Sequence, residues 1–399
     1  MVATILAVTA LIPVGAASMI TGDFSQMVYK PKRRTVHLFL KHRFWIIGAS
    51  FDLWLAAVVL HFVLDDTSVV LLVVTGLFVA LFTLLGYGMS PYVIFPSLRK
   101  PEWISADEAD SVIRDDDDVI GVEIKGDARA YPVDWSFRPH LIQETIGGES
   151  VVMSYCLLSN LGVTFRAEMD GTSMNCIMPI QWENNMVIYD TSGDRLIQQI
   201  DGSVLHGEGV GQPLETYPTL IMSWAAWRRL HPDTTVLHNP PAGLWDRFVR
   251  RFIGTKFLEE NRRREGPMFP TIDSIDDRLP SKAEVVGVEA GGIQRAYPVE
   301  QLVAARVVND DVGGLPMVVA ALDGVVAVFE RTVGGDVLVF SAADGALVDG
   351  TGTTWDMTGR ATGGQNEGSQ LVPYPHHNRI LWFIWSNFNP ATEVFEVAS

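Results

Sequence analysis

The phrase ARAYPV at Ala128–Val133 returns as QRAYPV at Gln294–Val299. Internal repetition constrains a fold more tightly than composition does, because each copy must bury the same pattern of side chains. The neighbouring stretches repeat in the same order. VIGVEIKGDARAYPV stands against EVVGVEAGGIQRAYPV, ETIGGESVVMSY against NDDVGGLPMVVA, and GVTFRAEMDG against VAVFERTVGG. TSGDRLIQQIDGSVLHGEGVGQPLETYP then lies beside TGTTWDMTGRATGGQNEGSQLVPYP, and WAAWRRLHPDTTV beside WFIWSNFNPATEV. The soluble part is expected to be a tandem duplication.

Within each copy, short runs of Val, Ile, Tyr and Phe alternate with Gly, Asp and Asn turns. Each is expected to be mostly strand, the first with a hairpin around Lys125–Asp127. One short helix closes each copy, at Leu220–Leu230 and Asn378–Phe388, and His231-Pro232 or Asn389-Pro390 ends it. Trp224/Trp227 and Trp382/Trp385 share a face there and are expected as core anchors. The predicted class is α+β, mostly β, as two duplicated units with one short helix each. A transmembrane region over 1–100 precedes a first β-rich unit over 101–238, a basic amphipathic linker over 239–280, and a second unit over 281–399.

Nearly half of the residues are hydrophobic, and the excess is concentrated in three apolar runs: Ala3–Ile20, Phe44–Leu64, and Ser68–Leu85 with its continuation to Pro96. The second and third are long enough to cross ~30 Å of hydrocarbon, joined as a hairpin through Asp65-Asp66. The first is read as a further span. A signal peptide cleaved near VGAAS is the alternative, although no Lys or Arg precedes its apolar stretch. The chain is therefore expected to be an integral membrane protein of the cell membrane. The basic loop YKPKRRTVHLFLKHR puts the soluble units on the cytoplasmic side by the charge rule. Asp52 and His61 lie inside the second run and are expected near the two interfaces, where each reaches water.

The formal charge of −17 argues against nucleic acid as a partner, since phosphate binding needs dense Lys and Arg. Against that acidic background, the bridge WDRFVRRFIGTKFLEENRRR is basic. Trp245, Phe248 and Phe252 recur at helical spacing with Arg250 and Arg251 between them, which is the pattern of a membrane or partner surface. The run Asp115–Asp118 is expected as a solvated turn. Cys156 and Cys176 are the whole cysteine set. With no CxxC and no Cys/His ladder, a structural zinc site is not expected. The two thiols would pair in an oxidising space and stay as small buried hydrophobes in a reducing one. No P-loop, GxGxxG before a helix, HExxH or GxSxG occurs.

VIGVEIKGDARAYPV, TIGGESVVMSYC, NNMVIYD, HPDTTVL, DDRLPSKAEVVGVE and VVNDDVGGLP together resemble the family known as domain of unknown function 3179, from Ser111 to Val394. The resemblance implies no established activity. It implies an exported or membrane-tethered protein, which sets an extracytoplasmic location against the charge rule. It also implies Tyr-Cys-Pro-Leu-Cys-Gly after the glycine pair, with a histidine nearby, a pattern suited to a redox pair or a soft metal. This chain reads YCLLSNLG instead. Cys156 remains, Ser159 stands where the second cysteine would be, Leu157 replaces the proline, and His140 lies one place past the family histidine. The second copy has AALDGVVAVF there, without a cysteine.

Cys156 with His140 as its base has the residue types of Cys–His catalysis. His140, Cys156 and His206 are the types that hold copper or another soft metal. His376-His377 is a further pair, expected to be solvated beside Pro375. Because the reactive pattern is incomplete in one copy and missing from the other, the residues favour a membrane-anchored, non-catalytic binding or assembly subunit without a cofactor. Its expected partners are the lipid membrane and another membrane protein or complex. The alternative is a metal-binding or thiol-dependent protein that uses Cys156 and His140.

Overall fold

The computed structural model describes residues 1–21, 26–88 and 90–396. It is an α+β chain with many strands and apolar helices at its N-terminal end. Its contacts divide it into two compact units, one of Met1–Ser97, Met174–Pro213 and Phe269–Thr271, the other of Leu98–Ser173, Leu214–Met268 and Ile272–Ser399. By sequence, Met174–Pro213 is expected in the first β-rich unit. Its packing groups it with the apolar helices instead.

In the first unit, Val2–Ile20, Arg33–Leu64 and Val69–Gly88 are each long and apolar enough to span a bilayer. Small residues let them approach closely, which matters where lipid removes the hydrophobic drive for helix association. Ala7 and Ala57 pack with Leu72, and Ala10 and Val14 with Val79. The first run is thus a full partner in the bundle. Its start sits on the Asp65-Asp66 turn, where Val2 N donates to Asp66 Oδ2 at 2.7 Å and Thr4 Oγ1 to Asp66 O at 3.2 Å.

The second helix begins at Arg33, well before the Phe44 of the apolar run. The extra turns gain partners that hydropathy does not register. Val36 and Leu40 bury against Ile180, Val187, Tyr189 and Leu196 of an antiparallel sheet ordered Val204–His206, Arg195–Gln198, Asn185–Asp190, Cys176–Trp182. Asp194 then locks the helix to the sheet. It accepts from His37 Nε2 at 2.8 Å, Lys41 Nζ at 2.5 Å and Tyr189 OH at 2.7 Å. Lys30 pairs with Glu183, and Arg33 lies 5.5 Å over the Trp182 ring. The basic segment therefore binds its own protein.

The second unit holds two hairpins with matching registers. Asp118–Ile124 pairs with Asp127–Pro132 through Lys125-Gly126, and Glu284–Ala290 pairs with Ile293–Pro298 through Gly291-Gly292. All four turn residues have positive φ (53°, 83°, 55° and 78°), the two-residue turn that matches strand twist. The short helices are Trp224–Leu230 and Trp382–Phe388, briefer than the sequence pattern indicates. The residues before them complete the sheets as strands Thr219–Ser223 and His377–Leu381, and Ser223 Oγ then caps Ala226 N at 3.3 Å. A helix at Val299–Ala305 was not read from the sequence.

The tryptophans are core anchors. A Cβ on Gly121 would fall 2.2 Å from the Trp227 ring, and one on Gly287 would fall 2.4 Å from Trp385. Only glycine lets the indoles lie on those strands. Trp227 Nε1 donates to Thr234 Oγ1 at 3.0 Å and Trp385 Nε1 to Thr392 Oγ1 at 2.8 Å, which accounts for the threonine after each His-Pro or Asn-Pro.

The RAYP phrase also has a geometric reason. Arg129 and Tyr131, two apart on one strand, face the same way. Tyr131 OH donates to Glu144, and Arg129 Nε lies 3.4 Å from Glu144 Oε2. Arg295 Nη1 and Tyr297 OH reach Asp310 at 2.7 Å each. Burial pushes the Glu144 carboxyl up to about 7, against the pull of Tyr131 and Arg129.

Candidate functional site

Cys156 ends the strand Glu149–Cys156 and is fully buried, as is Cys176. His140 precedes the adjacent strand at φ 69° and is 2% exposed, with its carbonyl accepting from Tyr155 N at 2.9 Å. Burial holds its imidazole down to about 4, so it is neutral at physiological pH. His206 belongs to the other unit, where its ring meets His37 edge-on at 4.4 Å, and burial lowers its pKa. Among the described residues, no three His, Cys, Asp or Glu side chains converge as a metal cluster. His376 is not solvated as its loop position indicates: it is half-buried, and Nδ1–H donates to Tyr374 O at 2.8 Å. In the acidic run, Asp117 pairs with Arg114 and Asp118 with Arg379.

The basic bridge resolves into the helices Gly243–Val249 and Lys256–Arg263 with a wider turn at Arg250–Thr255 between them. Leu244, Trp245 and Phe248 are exposed at 87%, 53% and 46%, and the two aromatic rings stack at 5.7 Å. Arg251 is exposed. Arg250, expected on this surface, is buried instead. It donates to Asp246 Oδ2, Asp134 O and Arg138 O at 3.0 Å each and lies 5.6 Å over Phe137. A planar five-donor group suits such a knot of carbonyls better than it suits open solvent. The Phe252 side chain lies outside the described residues.

A polar cavity adjoins the strand end that carries Cys156. The segment from His376 to Leu381 is one residue longer than Thr219–Ser223, its counterpart between proline and tryptophan. The extra residue is absorbed by a register shift opposite Val285–Gly287, with Arg379 at φ 55°. Such a bulge re-aims a side chain. Arg379 Nε donates to Glu284 Oε2 at 2.8 Å and Nη1 to Asp118 Oδ1 at 2.9 Å. Burial opposes its charge, but the two carboxylates outweigh that and keep it protonated. Asn160, at φ 48°, donates to Arg379 O at 3.0 Å and accepts from Tyr155 OH at 3.1 Å.

Lys282 completes the wall. Its Nζ donates to Asn261 Oδ1 at 2.8 Å and lies 4.7 Å over the Phe383 ring. Among the described residues it has no carboxylate within ion-pair distance. Burial, with Arg264 nearby, lowers its pKa to about 8. The cavity volume is about 280 Å³. Sequence reasoning names Cys156 only under its alternative reading and misses its neighbours Tyr155 and Asn160, along with Lys282 and Arg379. The unequal segment lengths before the two WxxW motifs were the available signal. A larger open cleft of about 600 Å³ is lined by Trp227, Leu230, Phe329 and Met357 with Glu123, His231 and Gln370.

These features define an α+β protein with bilayer-length apolar helices and a β-rich soluble part. The family described as "Protein of unknown function (DUF3179)" matches residues 94–392, and the chain belongs to it. No curated protein and no solved structure matches the chain.

Proposed function

We propose that the chain is a membrane-anchored binding or assembly subunit without catalytic chemistry of its own, built from a duplicated β-rich domain. The recurrent hairpin registers, the paired Gly–Trp contacts and the two Arg–Tyr–carboxylate groups support the duplication. The observation that carries the binding role is the exposed Leu244–Trp245–Phe248 face on a helix pinned beneath by Arg250. Rigidly presented aromatic and aliphatic side chains flanked by arginine have the composition of an interface centre. The occupant is another membrane protein rather than lipid headgroups. The helix has only seven residues, about two turns, which gives its apolar face little length to bury in a bilayer.

The test is native electrophoresis of mildly solubilised membranes. The wild type, Cys156→Ser and His140→Ala are expected to migrate together in an assembly larger than the chain. Leu244→Asp/Trp245→Ala is expected to shrink it to the chain's own size. Loss of the assembly in Cys156→Ser or His140→Ala with the fold intact, or a bound metal lost in either, would sink the reading. On the same reading, the soluble part lies on the cytoplasmic side. In a Cys156→Ser/Cys176→Ser background, a cysteine at Ser281 should meet an impermeant maleimide only after lysis. Labelling of intact cells would reverse the orientation.

A further inference from the structure

We propose that the cavity walled by Asn160, Lys282 and Arg379 binds a small zwitterion of the α-amino acid class, its carboxylate on Lys282 and its ammonium on the Asp118/Glu284 pair. This goes beyond the assembly role and does not depend on it.

The charge count carries the argument. Arg379 is one cation between two carboxylates, Asp118 and Glu284. That side of the cavity therefore holds one negative charge in excess. Lys282 is one cation that donates to the neutral Asn261 amide, so the opposite side holds one positive charge. The walls sum to zero but are polarised, and a ligand carrying both charges complements both sides. A simple anion would satisfy Lys282 and face the carboxylate excess; a simple cation would do the reverse. Both leave a partly buried charge without a counterpart, which is costly.

Size and lining agree. About 280 Å³ suits a molecule of amino-acid dimensions rather than a nucleotide. Tyr155 OH and the amides of Asn160 and Asn261 supply neutral hydrogen-bonding groups, while Leu157 and Leu381 supply apolar contact for a side chain. Two non-glycine residues with left-handed backbone, Arg379 at φ 55° and Asn160 at φ 48°, meet here, Asn160 donating to Arg379 O. Asn tolerates that conformation, whereas Arg379 is held in it by its bonds to Glu284 and Asp118.

The test is equilibrium dialysis of the full-length protein in detergent against a panel of isotopically labelled L-amino acids, with L-alanine, propionate and ethylammonium as competitors. Propionate lacks the ammonium and ethylammonium lacks the carboxylate. Saturable binding is expected, with each half-molecule competing about tenfold more weakly than L-alanine, or about 1.4 kcal/mol. Lys282→Met is expected to abolish binding, and Asp118→Asn to weaken L-alanine without weakening propionate. Absence of saturable binding, retention in Lys282→Met, or propionate competing as well as L-alanine would each overturn the proposal. The wild-type competition series stands alone if a variant fails to fold.

Discussion

The Arg379 guanidinium donates to Asp118 Oδ1 at 2.9 Å across 261 residues of chain, and to Glu284 Oε2 at 2.8 Å. One bulged residue thus ties together the first residues of two hairpin regions, Asp118 and the start of Glu284–Ala290. Removing it leaves two carboxylates facing each other.

Arg379→Ala is expected to destabilise the soluble part by about 1–2 kcal/mol. This lies below the cost of breaking a fully buried pair because Asp118 and Glu284 retain 42% and 31% side-chain exposure. Adding Asp118→Asn should recover part of the loss by removing the repulsion. A double-mutant cycle in urea reads both effects, and strictly additive changes would refute the coupling.

Gly121→Ala and Gly287→Ala should each cost about 3 kcal/mol or more, the upper range for overpacking. The obstructing rings belong to Trp227 and Trp385, each 1% exposed and tied by Nε1 to a threonine, so neither can swing aside. Gly350→Ala has no atom within 4 Å of the added carbon and is the near-neutral control. Thermal unfolding of the three variants distinguishes packing from a general intolerance of glycine replacement.

His140 gives the fold an acid-side pH dependence. Its pKa is about 4 in the fold against 6.5 for the free side chain. Between those values the unfolded chain binds the proton and the native state does not, so stability rises with pH across that window. The contribution is complete above 6.5 and is lost as pH falls through 4, in total about 3 kcal/mol. His140→Asn tolerates the left-handed backbone and cannot titrate. Its stability profile between pH 6.5 and 4 should be flatter than the wild type's; parallel profiles would show that other groups carry the dependence.

Arg250→Ala and Arg251→Ala should differ despite being sequence neighbours. Arg250 satisfies Asp134 O, Arg138 O and Asp246 from a site only 8% exposed, and its loss should cost about 3 kcal/mol. Arg251 is exposed, and its loss should change stability by about 0.5 kcal/mol or less. Equal effects in chemical denaturation would contradict the buried clamp.

Much of this was legible in sequence because it follows from local pattern. Bilayer-length apolar runs form helices, since lipid leaves no other way to satisfy the backbone. The Lys125-Gly126 turn and the alternating strands around it follow from turn chemistry and a period of two. The WxxW anchors follow from spacing. The resemblance to the family was carried by the same ordered phrases and holds over residues 94–392.

What the tertiary structure decided was the destination of polar side chains. Cys156 and His140 have reactive chemistry, but burial seals one and keeps the other neutral. Arg250 and Arg251 are the same residue type one place apart, yet a ring of carbonyls takes one inward. Lys30, Arg33 and Lys41 look like topology signals, and the sheet claims all three. Lys282 and Arg379, 97 residues apart in sequence, become two walls of one cavity through a one-residue bulge. Sequence alone determines which segments must leave water, since that is an additive property of neighbouring side chains. A charge's partner depends on distances across the fold, and only folding sets those.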